Sequence, residues 1–181
     1  MKKRNFEERL TGGHPNSLGD TVAVVEAVLK KPERFGELFD CYRSDDEVVR
    51  LRTSNAMKRI ARENKALLVP YLDQLLNEVS KIPQPSVHWT LAQLFARLKE
   101  DMSGAQLSQA KKILKKSIAH ASDWIVLNMT MDTLSEWARE DASLRRWLMP
   151  FLNGLQDDGR KSVSAKAQKS LAKLTKPSAK A

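Results

Sequence analysis

The chain has 181 residues, 41% of them apolar and 29% charged, with a formal net charge of +9. This balance describes one soluble globular domain, and 7 Gly and 7 Pro are too few turn residues for an all-β fold. A single cysteine, Cys41, excludes an intramolecular disulfide and a thiolate-rich metal site, and no window approaches the roughly 18 uninterrupted apolar residues of a membrane span.

At the N-terminus the chain reaches Glu7 and Glu8 where a secretory leader would need its apolar region, so a cytoplasmic protein is expected. Residues 1–16 close on the breaker cluster Gly12, Gly13, His14 and Pro15 and are expected to form a flexible lead. From about Leu18 to Lys30, Val22, Val25, Val28 and Leu29 recur at helical spacing. Pro32 then suits the first turn of a second helix through Phe35, Leu38, Phe39 and Tyr42. Ser44, Asp45, Asp46 and Glu47 supply cap oxygens and negative charge to the amide end of the next helix.

Three helix pairs follow, each read as an A helix and a B helix. The first is predicted over 46–63 and 66–81. The second begins after Pro83 and Pro85, runs to Lys99, and resumes after a Ser103 cap with Leu107, Ala110, Ile113, Leu114 and Ile118. The third opens at Ser122 and Asp123, runs to Arg139, and turns at Asp141 into a helix carrying Leu144, Trp147, Leu148, Phe151, Leu152 and Leu155. A last helix is predicted over about 160–174, making 17–174 one repeat domain, followed by a disordered basic tail over 175–181. Seven bases and no acid fall between Gly159 and Ala181, so +9 less those seven leaves +2 for residues 1–158.

The A helices carry one pattern four times: Val49, Thr53, Ala56, Met57, Ile60; Val87, Leu91, Leu94, Phe95, Leu98; Val126, Thr130, Thr133, Leu134, Trp137; and Val163, Ala167, Ser170, Leu171, Leu174. The offsets are identical, and the starting valines are 38, 39 and 37 residues apart. An apolar stripe that returns at a nearly fixed interval is the mark of a stacked helical repeat, because each unit alone exposes a face that only its neighbours cover. The B helices agree. Leu68, Val69, Pro70, Tyr71, Leu72 and Leu75 match Leu148, Met149, Pro150, Phe151, Leu152 and Leu155 at a constant offset of 80, which predicts a shared kink or first-turn proline.

Over about residues 45–174 these units resemble HEAT repeats of the armadillo/HEAT superfamily, best where Asp45, Val49, Arg50, Ala56, Met57 and Ile60 stand in the order aspartate, Val-Arg, small residue and apolar pair. The resemblance implies an all-α, right-handed α-α superhelix of about four helix pairs plus a terminal helix, with B helices lining a concave surface. The arginine slot holds Arg50 in one unit only, replaced by His88, Leu127 and Ser164, so the polar ladder of that family is not supported by residues here. The motif specifies architecture and leaves the partner open.

No catalytic constellation is legible. Cys41 falls near a helix C-terminus, where the dipole opposes a thiolate, and His14, His88 and His120 lack a second ligand at i+3 or i+4. No cofactor and no metal are expected. Trp137 and Trp147 occupy packing positions, whereas Trp89 and Trp124 lie outside the repeated slots and are the candidate exposed anchors.

Two lysine stripes remain. Lys111, Lys112, Lys115 and Lys116 face away from the core of the second B helix, and Lys166, Lys169, Lys173 and Lys176 do the same on the last helix. Like charges at i,i+4 repel by a few tenths of a kcal/mol per pair, so an anion is expected to complete them unless a counter-charge sits near. The leading expectation is a non-enzymatic scaffold whose concave face binds a protein partner, with those lysines, Arg145, Arg146, Trp89 and Trp124 as binding residues. The alternative is a nucleic-acid-binding protein similar to the HEAT-like alkylpurine DNA glycosylases, although no aspartate and tryptophan set can be matched to theirs.

Overall fold

The computed structural model describes residues 5–14 and 16–175, and among them there are ten α-helices and no strand. Helix α1 (Phe6–Leu10) precedes four pairs: α2 (Thr21–Lys30) with α3 (Phe35–Asp40), α4 (Glu47–Glu63) with α5 (Leu72–Asn77), α6 (Pro85–Leu98) with α7 (Gly104–His120), and α8 (Trp124–Trp137) with α9 (Ala142–Leu155). Helix α10 (Lys161–Thr175) follows. The all-α superhelix expected from the repeat is therefore the fold. Pro15, Lys176, Lys180 and the expected tail beyond Thr175 lie outside the described residues.

Helix starts are set by short polar side chains that accept from otherwise unpaired amides. Asp46 accepts from the Val48 amide at 2.8 Å, Asp123 from Ile125 and Val126, and Asp141 from Leu144 at 2.9 Å. Ser103 and Gln106 form a reciprocal capping box. Every side chain of the fourfold pattern is buried, the most accessible being Leu171 at 8%. The stripe is thus the seam along which α4, α6, α8 and α10 join.

Two departures from expectation have physical causes. First, the lead is packed against the repeats: Phe6 and Leu10 are fully buried, and Arg52, only 2% exposed, donates to the carbonyl oxygens of Leu10, Gly12, His14 and Ser17. Gly19, with φ +51°, comes so close that an added Cβ would lie 2.8 Å from the Arg52 guanidinium carbon. Leu10, Gly12, His14 and Ser17 thus hold a strap over Arg52.

Second, the predicted 66–81 helix is broken into 3-10 turns at Lys65–Leu67, Val69–Tyr71 and Val79–Lys81 around a short α5. Pro70 opens one of those turns, whereas Pro150 lies inside the continuous α9. The two prolines share a sequence register and a pattern of burial, with Leu68, Leu72, Leu148 and Leu152 all at or below 2% exposure, but not a backbone conformation.

The A layer is the more continuously packed: helices α6 and α8 pack along much of their length, as do α4 with α6 and α8 with α10, whereas α7 and α9, both long, barely touch.

Candidate functional site

The expected lysine stripes are largely satisfied within the molecule. On α7, Lys111 pairs with Asp141 at 2.8 Å, and the Lys115 ammonium sits 4.5 Å from the centre of the Trp147 ring, itself stacked on Phe151. That pairing and the Leu144 amide hold the Asp141 carboxyl well below the usual carboxylate range. Arg145 caps the end of α8, donating to the carbonyls of Ala138 and Arg139. On α10, Lys166 meets Asp132 at 2.7 Å and Lys173 meets Glu136 at 3.0 Å. Lys112, Lys116, Arg146 and Lys169 remain exposed, and Lys176 lies outside the described residues.

Trp124 is 48% exposed at the start of α8, as an anchor would be, while Trp89 is half-buried and its backbone carbonyl accepts from the Gln93 side-chain amide. Acids from neighbouring helices thus reach three of the described stripe lysines, Lys111, Lys166 and Lys173.

A groove of about 830 Å³ lies instead across the A layer. Lys58, Ala61 and Arg62 of α4, and Gln93, Leu94, Ala96 and Arg97 of α6, form one half. Met129, Asp132, Thr133, Glu136 and Trp137 of α8, together with Lys173 of α10, form the other, with Lys99, Glu100 and Glu140 at its rim. Its walls follow the repeat. Arg97, Glu136 and Lys173 each stand ten residues after the starting valine of their unit, so the same offset, next to the last core slot, lines the groove in three successive units.

Charge divides the groove. In the α8–α10 half, Asp132 and Glu136 are paired as above, Glu136 also meets Arg139 at 2.8 Å, and Glu140 meets Lys99 at 3.1 Å. The hydrogen bond from Lys173, then that from Arg139, keeps the Glu136 carboxyl below its ordinary range. In the α4–α6 half, Lys58, Arg62 and Arg97 have no ion pair among the described residues. Burial, then the nearby Arg62 and Arg59 charges, lowers the Lys58 pKa. These α4 and α6 cations form no lysine stripe on a single helix, and only the offset shared across units aligns Arg97 with Glu136 and Lys173.

Elsewhere, Cys41 is buried and its thiol is pushed up to about 12, first by desolvation and then by Glu7, Glu37 and Asp40, so it is no nucleophile at neutral pH. A second cavity of about 580 Å³ at the α6–α7–α8 edge brings His88, Lys116, His120 and Asp123 together. Burial and the Lys116 charge lower the His88 pKa, which favours its neutral form. Among the described residues no group of three His, Cys, Asp or Glu side chains could hold a metal ion, and no helix is long and apolar enough to cross a membrane.

No family model matches the chain, and no curated protein matches it. Among solved structures the chain is similar to the designed armadillo repeat protein YIII(Dq)4CqI, with 18% sequence identity and a TM-score of 0.55 over 93% of this chain and 80% of that one. The likeness shows an armadillo/HEAT-like helical repeat fold.

Proposed function

We propose that this chain is a non-enzymatic binding scaffold that holds an extended segment of a protein partner along the A-layer groove. The observation that carries the reading is the groove itself, a single trough built from equivalent positions of successive helices and so able to follow a chain from unit to unit. Rigid neighbours fix its shape before the partner arrives, which lowers the ordering cost of binding.

A nucleic-acid partner has weaker support. A phosphate backbone laid along the trough would meet Glu100, Asp132, Glu136 and Glu140, and the lysine stripes that favoured it are half spent on internal acids. The test is affinity capture from nuclease-treated lysate on the intact protein and on a Met129→Arg variant that fills the trough. The reading predicts a protein retained by the first and lost by the second; retention by both, or capture that vanishes with nuclease, refutes it.

A further inference from the structure

Helices α4 and α6 present to the groove a set of cations without an ion pair among the described residues. From Val48 to Arg62 α4 contains no acid, and α6 contains none at all. Their groove-facing side nevertheless gathers Lys58, Arg62 and Arg97, with Arg59 behind them held by Asn55 at 2.8 Å. Lys58 and Arg62 stand at i,i+4 and repel, and no described side chain relieves them. Beside them Gln93 donates to the Trp89 carbonyl through its amide nitrogen, and between the cations lie the small apolar surfaces of Ala61 and Ala96.

Resting on the scaffold reading above, we infer that the α4–α6 half of the groove binds a run of aspartate or glutamate side chains in the partner segment. Charge complementarity selects this occupant. An arginine from each of two adjacent helices offers planar, forked donors suited to carboxylates, and Lys58 adds a point charge in a partly desolvated setting. A basic segment would be repelled there. The opposite half, whose acids already have partners, accepts the neutral or apolar continuation of the same segment over Met129 and Trp137. The contact surface is therefore polarised along its length, which fixes the direction in which the segment lies.

The test is fluorescence anisotropy with three labelled probes on the full chain: a short peptide alternating Glu and Leu, its Lys and Leu counterpart, and a single-stranded oligonucleotide. Binding of the acidic peptide at low salt, weakened about tenfold by Arg62→Glu with Arg97→Glu and left unchanged by Lys112→Glu with Lys116→Glu, is the expected result. Arg97→Gln provides a milder variant, and circular dichroism confirms that each variant folds. No binding of the acidic peptide, or an equal loss in the Lys112 and Lys116 variant, overturns the inference. Oligonucleotide binding abolished by the same arginine changes also overturns it, in favour of phosphate recognition. A protein captured from lysate that is indifferent to Arg62 and Arg97 would sink this inference while leaving the scaffold reading intact.

Discussion

The two halves of the groove treat charge in opposite ways on the same repeated frame. At the α8–α10 end, Asp132 and Glu136 are answered by Lys166 and Lys173 from the next helix, so the like-charge cost of a lysine stripe is offset within the fold. At the α4–α6 end, Lys58, Arg62 and Arg97 have no ion pair among the described residues, and the repulsion between Lys58 and Arg62 is left in place. Surfaces that bind are commonly less stable than they could be, since groups kept free for a ligand do not serve the fold. The contrast separates a stretch that holds helices together from a stretch held ready.

Phe95 is fully buried in α6, the helix that packs on both α4 and α8, and Phe95→Ala is expected to have the largest effect, about 3 to 5 kcal/mol in urea melts. A loss under about 1 kcal/mol would mean that the seam is not what supports the groove. Lys166→Ala tests the paired half. Its partner is about half exposed, so the expected cost is about 0.2 to 1 kcal/mol, and Asp132→Ala should add little on top of it. Arg62→Gln tests the unpaired half, where removing one cation should leave stability unchanged or raise it by a few tenths of a kcal/mol. A clear destabilisation by Arg62→Gln would erase the comparison.

The pH response sharpens it further. Glu136 has a folded-state pKa below its ordinary 4.5, so it adds stability above that value and loses it as the pH falls through the folded value. Lys58 has a folded-state pKa below its ordinary 10.5, so the unfolded chain binds more protons in that window and stability rises as the pH climbs toward 10.5. Glu136→Gln should therefore flatten the acid limb of a stability profile, and Lys58→Met the alkaline limb. Exchange of the two behaviours would reverse the assignment of the halves.

Much of the scaffold was legible because burial leaves a periodic trace. The positions Val49 to Ile60 and their three repeats needed only spacing to be recognised, and cap residues such as Asp46, Ser103, Asp123 and Asp141 marked helix starts within a residue or two. The binding surface left no such trace. Lys111 and Lys166 looked free in a linear reading because their partners, Asp141 and Asp132, lie 30 and 34 residues away. Arg97 drew no notice as one base on an otherwise uncharged helix, although it becomes a wall of the groove once α4 and α8 flank it. Arg52 was similarly silent, since its four carbonyl partners come from a segment that carries little apolar signal beyond Phe6 and Leu10.

The amino-acid order by itself determined that this molecule is a stack of helices, where the side-chain-capped ones begin, and which face of every A helix is hidden, because those properties follow from 3.6-residue periodicity and from local hydrogen-bond donors and acceptors. Tertiary structure alone decided which layer packs more continuously, which cations keep a counter-charge and which do not, and that the N-terminal strap closes over a buried arginine. These depend on distances between residues thirty or more apart, and the electrostatic and packing energies that settle them act through space and leave no periodic mark along the chain.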